Sequence, residues 1–371
     1  MPFLPSKSVQ AYSNEKALWH LDKVAELRQG QQVVPTQVQL IISDFCQQGC
    51  LFCAYRRQDG LSSEQFGVYE HGRLNVNPNR MIPTAKAVEI LADCAALGVK
   101  AIQFTGGGES TVHPEHLRIF AHAQHLGMET ALVTNGVILR PGWESIYAAM
   151  AWIRVSIDAG TPETYAAVRQ VNPRYFGTAL RHVRAIRTQI DLAHSTCLLG
   201  CGYVITRENW AELYEGIRQI KDAGAHNVRV SAMFSQAGDA YYGEVLPAID
   251  EAIQKTMTLQ DEGFQIINMF GDRISDLQQH APDYAFCGYQ QFNMYIGGDL
   301  KVYRCCSTAY TKHGEVGNLS QQRLIDWFHS DQKQTAYGTF NATSCQVCQF
   351  NQKNRAILQA IDPAPAHINF V

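Results

Sequence analysis

The chain has 371 residues, 46% of them hydrophobic and 18% charged, with a formal net charge of −3 at pH 7. That balance excludes a disordered polypeptide, and the scattered lysines and arginines form no basic stripe that would call for long nucleic acid as a partner. No apolar run approaches a membrane span, and Lys7, Glu15, Lys16, Asp22 and Lys23 break up the N-terminus, so a cytoplasmic, membrane-free protein is expected. In that compartment 11 cysteines argue for metal or redox chemistry over a disulfide framework.

Residues 1–36 read as a helical lead-in. Over Asn14–Gln29, Ala17, Leu18, Leu21, Val24, Ala25 and Leu27 recur at helical spacing and Gly30 ends the run, which predicts an amphipathic helix packed on the main domain. Strand-like runs follow at Gln37–Ser43, Ala101–Thr105, Thr130–Thr134, Trp152–Asp158, Cys201–Thr206 and Asn227–Met233, each closed by a polar or glycine-rich turn. Helical patterns at Ala85–Leu97, Pro114–Leu126, Phe176–Ile190 and Trp210–Ala223 lie between them. These βα units predict an α/β domain over 37–265, a parallel sheet with helices outside. In Trp152–Asp158 and Asn227–Met233 the apolar residues alternate with Arg154, Ser156, Asp158, Arg229, Ser231 and Met233. A filled barrel wants branched apolar residues inside, so the polar faces predict an open interior. Arg154, Arg229 and Ser231 would there meet a substrate with an anionic or strongly polar group, unless the arginines pair with an interior carboxylate.

The connection from Ala54 to Ile82 is long and rich in Gly, Asn and Arg, and is expected to cover the substrate side. His113, His116, His122 and His125 fall on one predicted helix and its lead-in, as a solvated face would. Cys94 reads as core, and Cys197 and Cys201 as small buried thiols. Past residue 265, Phe292–Ile296 and Leu300–Arg304 flank Gly297-Gly298-Asp299, a hairpin signal, so 266–371 is expected to fold as a small α+β module.

Two cysteine sets carry the chemistry. Cys46, Cys50 and Cys53 are spaced by three and then two residues. Three thiolates can hold three corners of a four-iron cluster and leave one iron open, which suits a catalytic cluster better than an electron carrier. A zinc knuckle would show paired Cys-x2-Cys units instead. In the second set the predicted hairpin brings Cys287 near Cys305, and Cys345 and Cys348 stand two residues apart. Four cysteines can complete a cluster with no open iron, or hold zinc; Cys306 beside Cys305 leaves the register ambiguous.

The Cys-x3-Cys-x2-Cys loop, with Phe52 before its last cysteine, resembles the signature of the radical S-adenosylmethionine (SAM) superfamily. The resemblance implies a partial (β/α)6 TIM-type barrel in which Cys46, Cys50 and Cys53 hold a catalytic 4Fe-4S cluster. SAM would chelate the open iron and be cleaved to a 5′-deoxyadenosyl radical. Gly107, Gly108 and Glu109 match the Gly-Gly-Glu motif that holds the SAM amino group. Thr134, Asn135, Ser156 and Asp158 match segments lining the ribose and carboxylate, and Arg169 an arginine that pairs with that carboxylate. An inward Cys201 could donate a hydrogen atom to a substrate radical. Cys287, Cys305, Cys345 and Cys348 resemble the twitch domain, the shortened SPASM extension, and imply an auxiliary 4Fe-4S cluster that assists electron transfer.

The activity so implied is hydrogen abstraction from a small polar substrate, a sugar, aminocyclitol or nucleoside-like molecule, with an external donor such as flavodoxin or ferredoxin. A ribosomal peptide comes second, because the lead-in is shorter than the peptide-recognition domain that many peptide-modifying relatives carry. A nucleic-acid base comes third. From another class, a non-catalytic iron–sulfur electron-transfer protein would fit the cysteines but not an intact Gly-Gly-Glu turn.

Overall fold

The computed structural model describes residues 12–55, 79–235 and 237–366. The expected cover over Ala54–Ile82 falls almost wholly outside them. Strands β1 (Gln37–Leu40), β2 (Ala101–Phe104), β3 (Glu129–Thr134), β4 (Trp152–Ser156), β5 (Leu198–Ile205), β6 (Asn227–Ala232) and β7 (Gln265–Asn268) pair in parallel, each with the next. The helices of the crossovers include α2 (Thr84–Leu97), α3 (His116–His125), α4 (Trp143–Ala148), α5 (Pro162–Arg169), α6 (Arg174–Leu192), α7 (Leu213–Asp222) and α8 (Leu246–Met257). Before them stands α1 (Leu21–Arg28), and after β7 come α9 (Phe270–Gln279) and a late helix, α10 (Asn351–Ile361).

Alternation decides which face each strand buries. Ile153 and Val155 of β4, Leu199, Tyr203 and Ile205 of β5 and Val228 and Val230 of β6 are all buried. Each contributes about 1.5–3 kcal/mol on that account. The Tyr203 hydroxyl donates to the Asn209 carbonyl at 3.0 Å, and its ring lies where a side chain at Gly216 of α7 would project. That face of β5 is therefore the helix side. Cys201 shares its parity and is fully buried, so it points away from the barrel interior and cannot serve as the hydrogen donor considered above.

The C-terminal region extends the same sheet. Strand β8 (Asn293–Ile296) lies parallel to β1, with Gln37 opposite Asn293 and Leu40 opposite Ile296. It turns antiparallel into β9 (Lys301–Tyr303), which pairs with β10 (Glu315–Asn318). The ten strands form one sheet in the order β10-β9-β8-β1-β2-β3-β4-β5-β6-β7.

Two expectations are corrected here. A 3-10 turn at Lys16–Trp19 precedes α1 and resets the helical phase, so Leu21 is 71% exposed while Val24 packs with Phe292 and Ile357. The lead-in thus docks on the C-terminal region. His113 and His116 are not a solvated face: both are buried, His113 Nε2 meeting the Ile82 carbonyl at 3.0 Å and His116 Nδ1 the His113 carbonyl at 2.9 Å.

Candidate active site

Cys46, Cys50 and Cys53 lie in the loop after β1, at the C-terminal edge of the parallel strands, where α/β folds build their sites. Helix α5 clamps that loop. The amides of Gly49 and Leu51 donate to the carbonyls of Arg169 and Val168 at 2.9 and 2.8 Å. Between them Gln48, itself buried, donates to the Tyr165 hydroxyl at 3.2 Å and accepts from Arg169 Nη1 at 2.6 Å. Burial pushes the Cys46 thiol up to about 12, and the charges of Glu109, Cys50 and Cys53 add to it. The Cys46 thiol, which burial keeps protonated, is a donor that bound iron would deprotonate.

The β2 turn meets this loop at van der Waals distance. A side chain at Gly108 would run into the backbone of Asp44 and Phe45, and the Glu109 amide donates to the Phe45 carbonyl at 2.9 Å. Glycine is needed there for the close approach. Gly107 is buried beside it. The buried Glu109 carboxylate accepts from the Thr111 amide (3.1 Å) and hydroxyl (2.8 Å), from the Thr134 hydroxyl (2.7 Å) and from the Asn135 amide (2.7 Å). Asn135 in turn accepts from Gln47 at 3.3 Å, and its own Nδ2 is buried without a partner among the described residues. The cysteine loop, β2 turn and β3 turn are thereby locked together.

Asp158 and Arg169 form a buried ion pair. Asp158 adopts a left-handed φ of 57°, tolerable for aspartate, and its carboxylate also accepts from the Val204 amide at 2.7 Å. Burial opposes the Arg169 charge, and Asp158 together with Cys50 and Tyr165 more than restores it. The guanidinium stands 3.9 Å from Cys50 Sγ and faces the rings of Tyr165 (5.3 Å) and Phe52 (5.7 Å). Ser156 lies beside Gly202 in the sheet, and Gly202 beside Arg229. Ser231 is buried on the same face of β6. Sequence reasoning missed Gln48, Tyr165 and Asn209. Tyr165 stands one helical turn before Arg169, a signal that was available; Asn209, which donates to the carbonyls of Asp158 and Val204 at 2.9 Å, carries none.

The second cysteine set lines a cavity, where Cys287, Cys305, Cys345 and Cys348 converge with Tyr284 and Arg304. Cys306 is not among its walls; it packs against the Tyr295 and Tyr310 cluster and accepts from Gln349 Nε2 at 3.4 Å. Cys348 Sγ accepts from the Phe350 amide (3.4 Å), the Tyr284 hydroxyl (3.5 Å) and Asn354 Nδ2 (3.7 Å), donors that suit a thiolate ligand. Among the described residues no three of His, Cys, Asp and Glu are gathered closely enough to clasp one metal ion. Cluster ligands bind separate irons and stand wider apart than the ligands of one tetrahedral zinc.

Comparison with known proteins agrees with this chemistry. The model of the radical SAM superfamily matches residues 40–234. The PqqA peptide cyclase of Bradyrhizobium diazoefficiens is 24% identical over 71% of this chain and 70% of its own length. An S-adenosylmethionine-dependent nucleotide dehydratase of Flammeovirga pacifica is 28% identical over 50% of this chain and 59% of its own. Among solved structures, Streptococcus suis SuiB bound to precursor peptide SuiA superposes with a TM-score of 0.60 at 15% identity, over 86% of this chain and 70% of that one.

Proposed function

The chain belongs to the radical SAM superfamily, and within it we propose that this enzyme modifies a peptide. That reading replaces the small polar substrate expected first from the sequence. The observation that carries it is the reach of the likenesses. The peptide cyclase match spans 71% of the chain, and the likeness to peptide-bound SuiB spans 86%; the nucleotide dehydratase match spans half. Peptide chemistry is thus the stronger reading of the two.

Cys46, Cys50 and Cys53 would hold the SAM-binding 4Fe-4S cluster, and Cys287, Cys305, Cys345 and Cys348 an auxiliary one. When bound, the first cluster supplies the electron that cleaves SAM and so the oxidising power to remove a hydrogen atom from an unactivated carbon. The protein's own share is positioning. Arg169, held by Asp158, and Gln48 fix the cluster loop against α5. Glu109 sets the turns that carry Thr134 and Asn135, the residues that would face SAM together with Phe52, Gly107, Gly108 and Ser156. Residues 37–265 act as the SAM-binding barrel and 266–371 as the auxiliary module, charged by an external donor such as flavodoxin or ferredoxin.

Anaerobically reconstituted protein is expected to carry about eight irons per chain and to form 5′-deoxyadenosine under strong reductant. Joint replacement of Cys46, Cys50 and Cys53 by alanine should halve the iron and end that cleavage. A pool of synthetic peptides should raise deoxyadenosine formation and yield one peptide of altered mass. Stimulation by nucleotides or sugars and by no peptide would sink the peptide reading.

A further inference from the structure

The barrel interior holds positive charge that the radical chemistry does not use. Strand β5 presents glycine at two successive inward positions, Gly200 and Gly202, between β4 and β6. Over that gap the Arg154 side chain crosses from β4, its Cδ 3.8 Å from where a Cβ at Gly202 would stand and Ser156 Oγ at 4.0 Å. Arg229 enters from the other side at the level of Gly202 and Ser156. Among the described residues neither arginine has an ion pair, and Arg229 Nε is buried with no hydrogen-bond partner. Among the described residues the nearby carboxylates are hydrogen-bonded elsewhere, Asp158 to Arg169 and the Val204 amide, Glu109 to four donors.

The charge of Arg154, followed by burial, pushes Arg229 down to about 9, and Arg273 adds to the effect. The Arg154 guanidinium faces the Trp152 ring at 5.5 Å, and two guanidinium groups brought together with no counter-ion among the described residues are costly to the folded state. A planar guanidinium is built to grip a carboxylate through two bonds, and both arginines stand on the same face of the sheet as Ser156.

We propose that Arg154 and Arg229 form a carboxylate-binding subsite, which anchors an acidic group of the substrate inside the barrel beside the SAM end. The subsite deepens the peptide reading and rests on it for its occupant. An acidic side chain and a peptide C-terminus offer the same group, as does the methionine carboxylate of SAM.

The test uses reconstituted full-length protein and three capped probes. These are N-acetylglutamate N-methylamide for an acidic side chain, N-acetylalanine for a C-terminus and N-acetylglutamine N-methylamide as the neutral isostere. Saturation-transfer NMR titration is expected to show one of the acids binding at least about tenfold tighter than the amide. Arg229→Gln and Arg154→Gln should each erase that preference, while Arg229→Lys, which keeps charge and loses the fork, should keep part of it. SAM affinity is measured in parallel to identify the source of the anion. Equal binding of acid and amide overturns the proposal. So does a loss of SAM affinity in Arg229→Gln with the probe preference intact, since the pair then belongs to SAM. If an acid binds as expected and no peptide stimulates turnover, the subsite stands and the peptide reading falls.

Discussion

At the scale of single residues, Glu109 shows how far a motif can be read and where geometry adds to it. The Gly-Gly-Glu match directs attention to SAM, yet four protein donors already occupy the carboxylate, about as many as it can accept. Its substitution therefore acts on the β3 turn as well as on any ligand. Glu109→Gln keeps one oxygen but sets an amide N–H against a donor, and should cost about 1–3 kcal/mol. Loss of SAM affinity together with faster amide exchange at 134–137 is the expected pair of results; lost affinity with unchanged exchange would confine Glu109 to direct ligand contact. Lys333 offers a separate test. It is buried over the rings of Tyr337 (4.4 Å) and Phe328 (4.7 Å), and burial pushes its ammonium down to about 8. The folded state then binds fewer protons than the unfolded one between about pH 8 and the usual lysine range, so its burden on stability is full below pH 8 and is relieved as pH rises. Lys333→Met should be the more stable protein at pH 7, by about 1–2 kcal/mol after lost cation–π contact is set against lost desolvation. Denaturant unfolding should show that gap close toward pH 9.5.

Elements were legible where local pattern decides them and not where a distant partner does. The runs over Ala85–Leu97 and Phe176–Ile190 appear as α2 and α6, and alternation in β4 and β6 marks their two faces. Cysteine spacing and the Thr105–Glu109 turn needed no tertiary knowledge. The burial of His113 and His116 did, because it depends on the Ile82 carbonyl, and so did the pairing of β8 with β1, more than 200 residues apart in the chain. That pairing brings the β8–β9 hairpin against the cluster loop. Asp44, two residues before Cys46, accepts from Arg80 Nε at 2.6 Å, from the Tyr310 hydroxyl and from the Gly298 amide at 3.3 Å. A side chain at Gly298 would strike the Asp44 carboxylate. Removing that acceptor by Asp44→Ala should cost about 2–3 kcal/mol, since it strands buried donors. Faster hydrogen exchange at 297–310 would report it, and Asp44→Asn, which keeps an acceptor oxygen, should restore part of the protection. Unchanged exchange in Asp44→Ala would mean the hairpin docks through the sheet alone.

On the scale of the whole molecule, the continuous sheet alters what loss of the proposed auxiliary cluster should do. Had residues 266–371 been a module with little core of its own, removing its metal would unfold it. Instead β8 takes its hydrogen bonds from β1, and Trp327, Leu324 and Phe328 belong to the same apolar core as the barrel strands. Replacing Cys345 and Cys348 with alanine should therefore leave the sheet and the first cluster intact, seen as unchanged circular dichroism and about four irons per chain. What should fail is the passage of an electron to or from the substrate. The two cysteine sites are joined by packed protein: Tyr55, beside the first set, lies 5.7 Å from the Tyr310 ring and accepts from the Tyr295 hydroxyl at 3.2 Å, and Cys306 packs on the same group. The double variant should cleave SAM, accumulate 5′-deoxyadenosine and form little modified peptide. Turnover at the parental rate in a folded double variant would assign the auxiliary site a purely structural part, and collapse of the fold would show that the shared core is too small to hold the region without its metal.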